Sequence, residues 1–173
     1  GELCYFPEGT PYGPQDDPAG PVALTVQFGG GNGYGYMSPQ QYLAGRAALE
    51  QVGRFEGPVF LRPKAFRWTP VAGQARCYRK LLGSFSERGT SAEMFKLEPG
   101  ATLRLLPEAA TRLLFVLEGE GTAEGQPLGL HFGVQVEPAE SLMLQAGASD
   151  LVLLAMNMPL FEDGWQRAEI EAV

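Results

Sequence analysis

Residues that bind metal ions are scarce in this sequence, which has one histidine, His131, and two cysteines, Cys4 and Cys77. A single histidine cannot supply a histidine-rich metal centre or a two-histidine iron site within one chain. The two cysteines lie far apart without a CxxC pair, which is typical of a reduced, cytoplasmic protein, although a single disulfide is the alternative. We therefore expect a cytoplasmic protein without a metal ion or other cofactor.

Positive charge and long apolar runs are also scarce. The net charge is -7, whereas nucleic-acid binding requires a basic patch. The longest clean apolar run, Leu151 to Met156, is far shorter than the roughly 20 residues of a membrane-spanning helix. We therefore expect neither nucleic-acid nor membrane partners. No signal peptide is visible, and because the chain begins with Gly1 we expect the natural product to start further upstream.

Glycine and proline are abundant, with 23 and 14 residues, which indicates many turns and short strands. Short strands about ten residues apart, with no helices between them, are typical of a β-sandwich or barrel. Strands are predicted at 3–6, 22–28, 58–62, 76–82, 92–97, 101–106, 112–118, 134–137, 141–145 and 151–156.

One helix is predicted, from residue 38 to residue 52. Ser38 can cap it, Pro39 suits its first position, and Gln41 completes a capping box with Ser38. Gly53 is a suitable terminator. This helix divides the chain into N-terminal strands at 1–37, a linking segment at 38–57 and a barrel at 58–173.

The stretch LEPGATLRLLPEAATRLLFVLEGEGTAEG, which begins at residue 97, has glycines at positions 100 and 119 and contains a Gly-Glu-Gly turn at 119–121. It resembles the first motif of the cupin family with the metal ligands replaced. The two histidine positions of that motif fall on Leu106 and Glu108, and its glutamate position falls on Arg112. The resemblance implies an all-β cupin-like jelly-roll barrel, or double-stranded β-helix, that has lost its metal site.

The second cupin motif has two similar stretches in this sequence. Residues 133–147 align with it loosely, with Met143 at its histidine position. The start of the chain matches its spacing better, with Tyr12 at the histidine position. The resemblance therefore implies that residues 1–37 are the closing half of another cupin barrel. The chain is similar to the C-terminal part of a bacterial two-domain cupin, whose upstream half would be a partner.

The alignment also predicts which side chains face the pocket, because strand side chains alternate. Glu108 and Arg112 are either a pocket carboxylate oriented by arginine or a surface ion pair. His131 is either an acid or base near neutral pH or a surface histidine. The pocket candidates are Arg104, Leu106, Glu108, Arg112, Met143, Tyr12 and His131.

The same alternation sends large apolar side chains to the outside of the barrel. The interface candidates are Leu103, Leu105, Phe115 and Leu142. A monomer rarely exposes so large an apolar patch, so we expect a homodimer, or a pseudo-dimer formed with the N-terminal half. A β-bulge near Pro107 would instead reverse one strand and bury these residues in the core.

Three functions remain open. The first is a metal-free cupin-like module that is mainly structural or oligomer-forming. The second is a cofactor-independent isomerase, cyclase or lyase that acts on a small organic substrate in the barrel pocket. The third is a sensor that binds a small ligand. A barrel filled with apolar side chains favours the first, and a large pocket with converging polar groups favours the others.

Overall fold

A computed structural model of this chain describes residues 1–7, 24–26, 57–85 and 89–158. In these ranges the regular structure is almost entirely β, with one short 3-10 turn at Pro63–Ala65. The strands are β1 Leu3–Tyr5, β2 Val59–Leu61, β3 Thr69–Pro70, β4 Cys77–Ser84, β5 Ser91–Leu97, β6 Thr102–Leu105, β7 Arg112–Glu118, β8 Gly121–Ala123, β9 Gln126–Leu128, β10 Gly133–Val136, β11 Leu142–Ala146 and β12 Leu151–Asn157. The all-β prediction is confirmed.

The strands from β3 onward form two antiparallel sheets that enclose one core. The large sheet has the order β10-β7-β12-β5-β4-β3, and the small sheet has the order β6-β11-β8-β9. From β5 to β12 the chain crosses repeatedly between the two sheets, so that strands distant in sequence pair. This winding is that of a jelly roll, and the predicted fold class is confirmed.

The core between the sheets is filled with aliphatic side chains. Burying each of them stabilises the fold by roughly 1.5–3 kcal/mol. The largest of the fully buried side chains belong to Leu97, Leu103, Leu114, Leu144, Leu151, Leu153, Val116 and Cys77. They come from both sheets, so the inside of the barrel is packed along most of its length.

The predicted orientation of the small-sheet strands is wrong. Leu103, Leu105 and Leu142 are buried in the core, not on the outside. Arg104, Leu106 and Met143, predicted to face the pocket, are exposed. The physical reason is simple alternation: the strand Thr-Leu-Arg-Leu buries its leucines and exposes its polar residues.

On β7 the prediction is confirmed. Arg112, Leu114 and Val116 are buried on the inner face, while Phe115 lies on the outer face and is half-buried. The inward positions are odd-numbered on β6 and even-numbered on β7. The change occurs in the loop that contains Pro107, where the sequence analysis placed the β-bulge that was its alternative to an apolar outer face.

Part of the outer face of the large sheet carries a second apolar cluster. Its buried members are Leu82, Phe85, Ala92, Met94, Val152 and Leu154. The β1–β2 pair packs on it, together with Phe66 and Trp68. Lys80 donates a hydrogen bond to the Pro63 carbonyl oxygen at 2.9 Å and places its ammonium 4.5 Å from the Trp68 ring centre. The start of the chain thus covers this part of the barrel.

The strand predictions differ from the structure in two places. Residues 24–26, the described part of the strand predicted at 22–28, belong to no strand. The short strands β3, β8 and β9 were not predicted, because two or three residues are too few to show alternation. The predicted helix at 38–52 and Tyr12 lie outside the described residues.

The turn at Gly119 confirms one glycine of the cupin-like motif. Its φ is +78°, and a Cβ at this position would collide with the carbonyl oxygen of Asp150. Only glycine combines this backbone conformation with so close an approach. The turn connects β7 to β8 and thereby leads the chain from the large sheet to the small sheet.

Candidate functional site

The two ends of the barrel differ in chemistry. At the closed end, where β4 and β6 begin, the Cys77 thiol contacts the Thr102 carbonyl oxygen at 3.3 Å. The Gln74 side chain hydrogen bonds to both the backbone N–H and the carbonyl oxygen of Arg104. These contacts join β4 and the loop before it to β6.

At the opposite end, charged side chains occupy inward positions. We call this the polar end and define it by Arg79, Leu81, Glu93, Glu108, Arg112 and Asn157.

Strand pairing brings the polar-end residues onto one face. Leu81 is opposite Glu93, and Arg112 is opposite Asn157. Paired residues of an antiparallel sheet share a face, and Glu93 alternates with the core residue Phe95 along β5. Arg79 precedes Leu81 by two residues on β4 and therefore has the same inward register. The large sheet alone supplies these strand positions, and Glu108 joins them from the loop between β6 and β7.

Arg112 is the most buried charged group of the polar end. Its side chain is 7% exposed, and its Nη2 lies 3.0 Å from Oε1 of Glu108, which is 51% exposed. Its Nε donates a hydrogen bond to Oδ1 of Asn157 at 3.1 Å. A buried guanidinium needs such partners, because removing it from water without them is costly. The predicted pairing of Glu108 with Arg112 therefore exists, and it joins a buried arginine to a half-exposed carboxylate.

Glu93 lies between two arginines on the inner face. Burial raises the pKa of its carboxyl above the usual value, the charges of Arg112 and Arg79 lower that pKa, and the charge of Glu108 raises it. Burial is the largest of these effects. A carboxyl whose pKa is raised in this way holds its proton more readily and can then donate a hydrogen bond.

Apolar side chains border the polar end. Leu81 is 64% exposed although its register is inward. Phe95 and Leu114, next to Glu93 and Arg112 along their strands, are buried. A few oriented polar groups among apolar surfaces are typical of small-ligand sites.

The structure separates the remaining pocket candidates. Arg104 and Met143 pair on the outer face of the small sheet. His131 is exposed, has a φ of +67° and stacks on Phe115, with 5.8 Å between ring centres. This position lies on the outside of the large sheet, so His131 has no part in the polar end.

Sequence reasoning missed Glu93, Arg79 and Asn157. The signal for Glu93 was present, because the alternation on β5 puts Glu93 on the same face as Phe95 and Leu97. A charged residue at a core position is unusual and indicates a partner or a site. The pairing of Asn157 with Arg112 depends on the register between β12 and β7, which the sequence does not show.

The residues present do not fit the metal ion that the cupin resemblance implies. The inward positions of β6 and β11 carry Leu103, Leu105, Leu142 and Leu144, which offer no donor atoms. Arg112 places a positive charge where a cation would need an acidic ligand. In the part of the chain that the structure describes, no three histidine, cysteine or acidic residues are grouped as metal ligands.

A surface depression lies at the closed end, on the loop between β3 and β4. Its volume is about 460 Å³, and residues 70, 71 and 73–78 line it. Beside it, Arg76 and Tyr78 donate hydrogen bonds to the two carboxylate oxygens of Glu98. These bonds lower the pKa of Glu98. None of the polar-end residues lines this depression, so it is not continuous with the candidate site.

No protein-family model and no curated protein matches this sequence. No helix within the described ranges is long and apolar enough to cross a bilayer.

Solved structures resemble the chain at low identity. A predicted oxalate decarboxylase from Thermotoga maritima is 20% identical with a TM-score of 0.49, over 58% of this chain and 98% of that chain. A cupin-2 domain from Rhodospirillum rubrum is 18% identical with a TM-score of 0.48, over 58% of this chain and 75% of that chain. A chain from the complex of SigE with the anti-sigma ChrR of Rhodobacter sphaeroides is 17% identical with a TM-score of 0.47, over 56% of this chain and only 51% of that chain. The strand order of the two sheets in this chain is that of a double-stranded β-helix, the fold that its sequence predicts.

Proposed function

We propose that this chain is a metal-free, cupin-like module whose barrel interior is structural and whose polar end binds a small organic ligand. The observation that carries this proposal is the buried guanidinium of Arg112, held by Glu108 and Asn157 beside the carboxyl of Glu93. The cytoplasmic location and the lack of a cofactor remain part of the proposal.

The filled interior favours a structural barrel over a reaction chamber. Leu103, Leu144 and Leu153 are fully buried between the two sheets, so aliphatic side chains occupy the space where a substrate would have to bind. Of the acid and base candidates, His131 lies on the outside of the barrel. An isomerase, cyclase or lyase reaction would therefore have to use Glu93 and Arg112 at the polar end, where binding alone already explains their placement.

Ligand binding at the polar end is tested by NMR with isotope-labelled protein and a panel of small polar organic compounds. We expect ligand-dependent shifts at the backbone amides of Glu93, Arg112 and Asn157. Arg79→Gln should weaken binding, because it removes an exposed inward cation. Arg104→Gln is the matched control, since Arg104 is an exposed arginine on the outer face. Shifts only near the closed end, or none with any compound, would contradict the proposal.

A second candidate function is self-association, favoured by an exposed apolar patch that none of the described residues covers. Leu130 and Phe132 are each more than half exposed, beside the stacked pair of Phe115 and His131. The patch borders β10, the edge strand of the large sheet. Of the predicted interface residues only Phe115 belongs to it, because the others are core residues. We propose a homodimer through this patch, while the predicted upstream cupin half remains a prediction.

Two aspartate substitutions separate an interface from a core position. Phe115→Asp should give a folded monomer, because the side chain lies on the outer face. Leu142→Asp should prevent folding, because it puts a charge into the core. Sedimentation velocity and circular dichroism measure the two outcomes. A wild-type protein that is monomeric at high concentration would contradict the homodimer.

A further inference from the structure

The charges at the polar end do not balance when Glu93 is neutral. Arg112 is paired with Glu108, whereas the Arg79 side chain has no hydrogen-bond or ion-pair partner among the described residues and is exposed. With Glu93 protonated, the two arginines and Glu108 leave one positive charge. With Glu93 ionised, the net charge of the polar end is zero.

We propose that the polar end binds small organic carboxylates with an apolar body and takes up one proton on Glu93 as they bind. This inference rests on the proposed ligand site and names the class of ligand and the coupled proton. The proton comes from solvent, and no covalent bond forms or breaks.

The geometry supports a carboxylate as the ligand. Its negative charge would be attracted by the unpaired Arg79 guanidinium and by Arg112 on the other side of Glu93. Two carboxyl groups in close contact cannot both remain ionised at low cost, so one of them takes a proton and donates a hydrogen bond to the other. The exposed side chain of Leu81, which is opposite Glu93, offers a contact to an apolar body.

The pH dependence follows from the charged groups that face Glu93. They are Arg112 from β7, Arg79 from β4 and Glu108 from the loop between β6 and β7. A bound anion adds negative charge beside Glu93 and favours its protonated form. Affinity should therefore be greatest at mildly acidic pH and fall as the pH rises through the pKa of Glu93, by about tenfold per pH unit above that pKa.

The test is titration calorimetry of the full chain with benzoate and, separately, with benzamide, which has a similar shape and no charge. Each titration is done in two buffers of different ionisation enthalpy and over a series of pH values. We expect benzoate to bind with net proton uptake and more tightly than benzamide, and Arg79→Gln to weaken benzoate binding. If benzamide binds as well as benzoate, or if Arg79→Gln has no effect, the inference is wrong while a ligand site can still exist. If neither compound binds, the inference fails together with this ligand site.

Glu93→Gln tests whether Glu93 is the group that takes up the proton. Glutamine keeps a hydrogen-bond donor without titrating, so benzoate should bind to this variant without proton uptake and with the pH dependence abolished. Glu118→Gln is the control, because Glu118 is exposed at the far end of β7, and it should behave as the wild type does. Circular dichroism verifies that both variants fold. Proton uptake that persists in Glu93→Gln would overturn the inference.

Discussion

The closed end and the polar end of the barrel are built from the same strands but differ in what those strands bury. At the closed end, β5 contributes Leu97 and β4 contributes Cys77, and both are fully buried. At the polar end, the same two strands contribute Glu93 and Arg79 in the same inward register. The large sheet therefore contributes both to the hydrophobic core and to the set of charged groups.

The difference shows how the barrel divides stability and chemistry. Aliphatic packing at the closed end stabilises the fold, since buried leucines are removed from water without any polar partner. The polar end requires partners for every buried charge, and Glu108 and Asn157 supply them to Arg112. Buried charged groups with their partners add little net stability. This supports the proposal that the polar end binds a ligand.

The largest effect is expected from a core substitution near the closed end. Leu103→Ala should destabilise the protein by about 2–5 kcal/mol, because it leaves a cavity in a fully packed region. Arg104→Ala, one residue further along the strand, should change the free energy of unfolding by less than about 0.5 kcal/mol. Urea unfolding measures both. Equal effects of the two substitutions would contradict the register of β6.

An intermediate effect is expected from Arg112. Arg112→Met should destabilise the protein by about 1–3 kcal/mol, because Asn157 and Glu108 lose their charged partner at a buried position. Glu108→Gln should cost less than about 1 kcal/mol, since that carboxylate is half-exposed. The melting temperatures of the two variants rank these effects. A larger loss from Glu108→Gln would mean that the loop, rather than the buried arginine, holds the polar end together.

The smallest effect is expected from Glu93, and its size depends on pH. Because the folded protein raises the pKa of Glu93 above its unfolded value, the contribution of this group to stability is present at low pH and is lost as the pH rises through the folded pKa. Glu93→Gln should therefore remove this decrease and be relatively more stable at neutral pH. Glu98, whose pKa is lowered, changes stability with pH in the opposite direction. It is present in both the wild type and the Glu93→Gln variant, so its contribution cancels in the comparison. The measurement is the free energy of unfolding as a function of pH for the wild type and for Glu93→Gln. Parallel curves would show that the pKa of Glu93 is the same in the folded and unfolded states.

Much of the fold was predictable from local patterns. The strands that became β4, β5, β7, β11 and β12 each carry enough residues for alternation to be visible. The turn glycine at position 119 was predictable because a reversal of the chain needs its positive φ. The cupin resemblance predicted the winding of these strands, although it assigned the wrong inner face to β6 and β11.

The candidate site was predictable only in part. Glu108 and Arg112 were found because they lie close in sequence, at positions where the cupin motif has ligands. Glu93 and Asn157 were missed because they come from β5 and β12, on strands separated in sequence from β7. A motif reports on neighbours along the chain, whereas this site is assembled from four strands of the large sheet and one loop.

The sequence by itself determined that the chain forms short strands, lacks the residues for a histidine metal centre and alternates apolar with polar side chains. The tertiary structure decided which face of each strand became the inside and which distant residues meet there. The physical reason is that alternation is a local property of the strand. Inward orientation and the pairing of Arg112 with Asn157 instead depend on register, which is fixed only when the two sheets pack around one core.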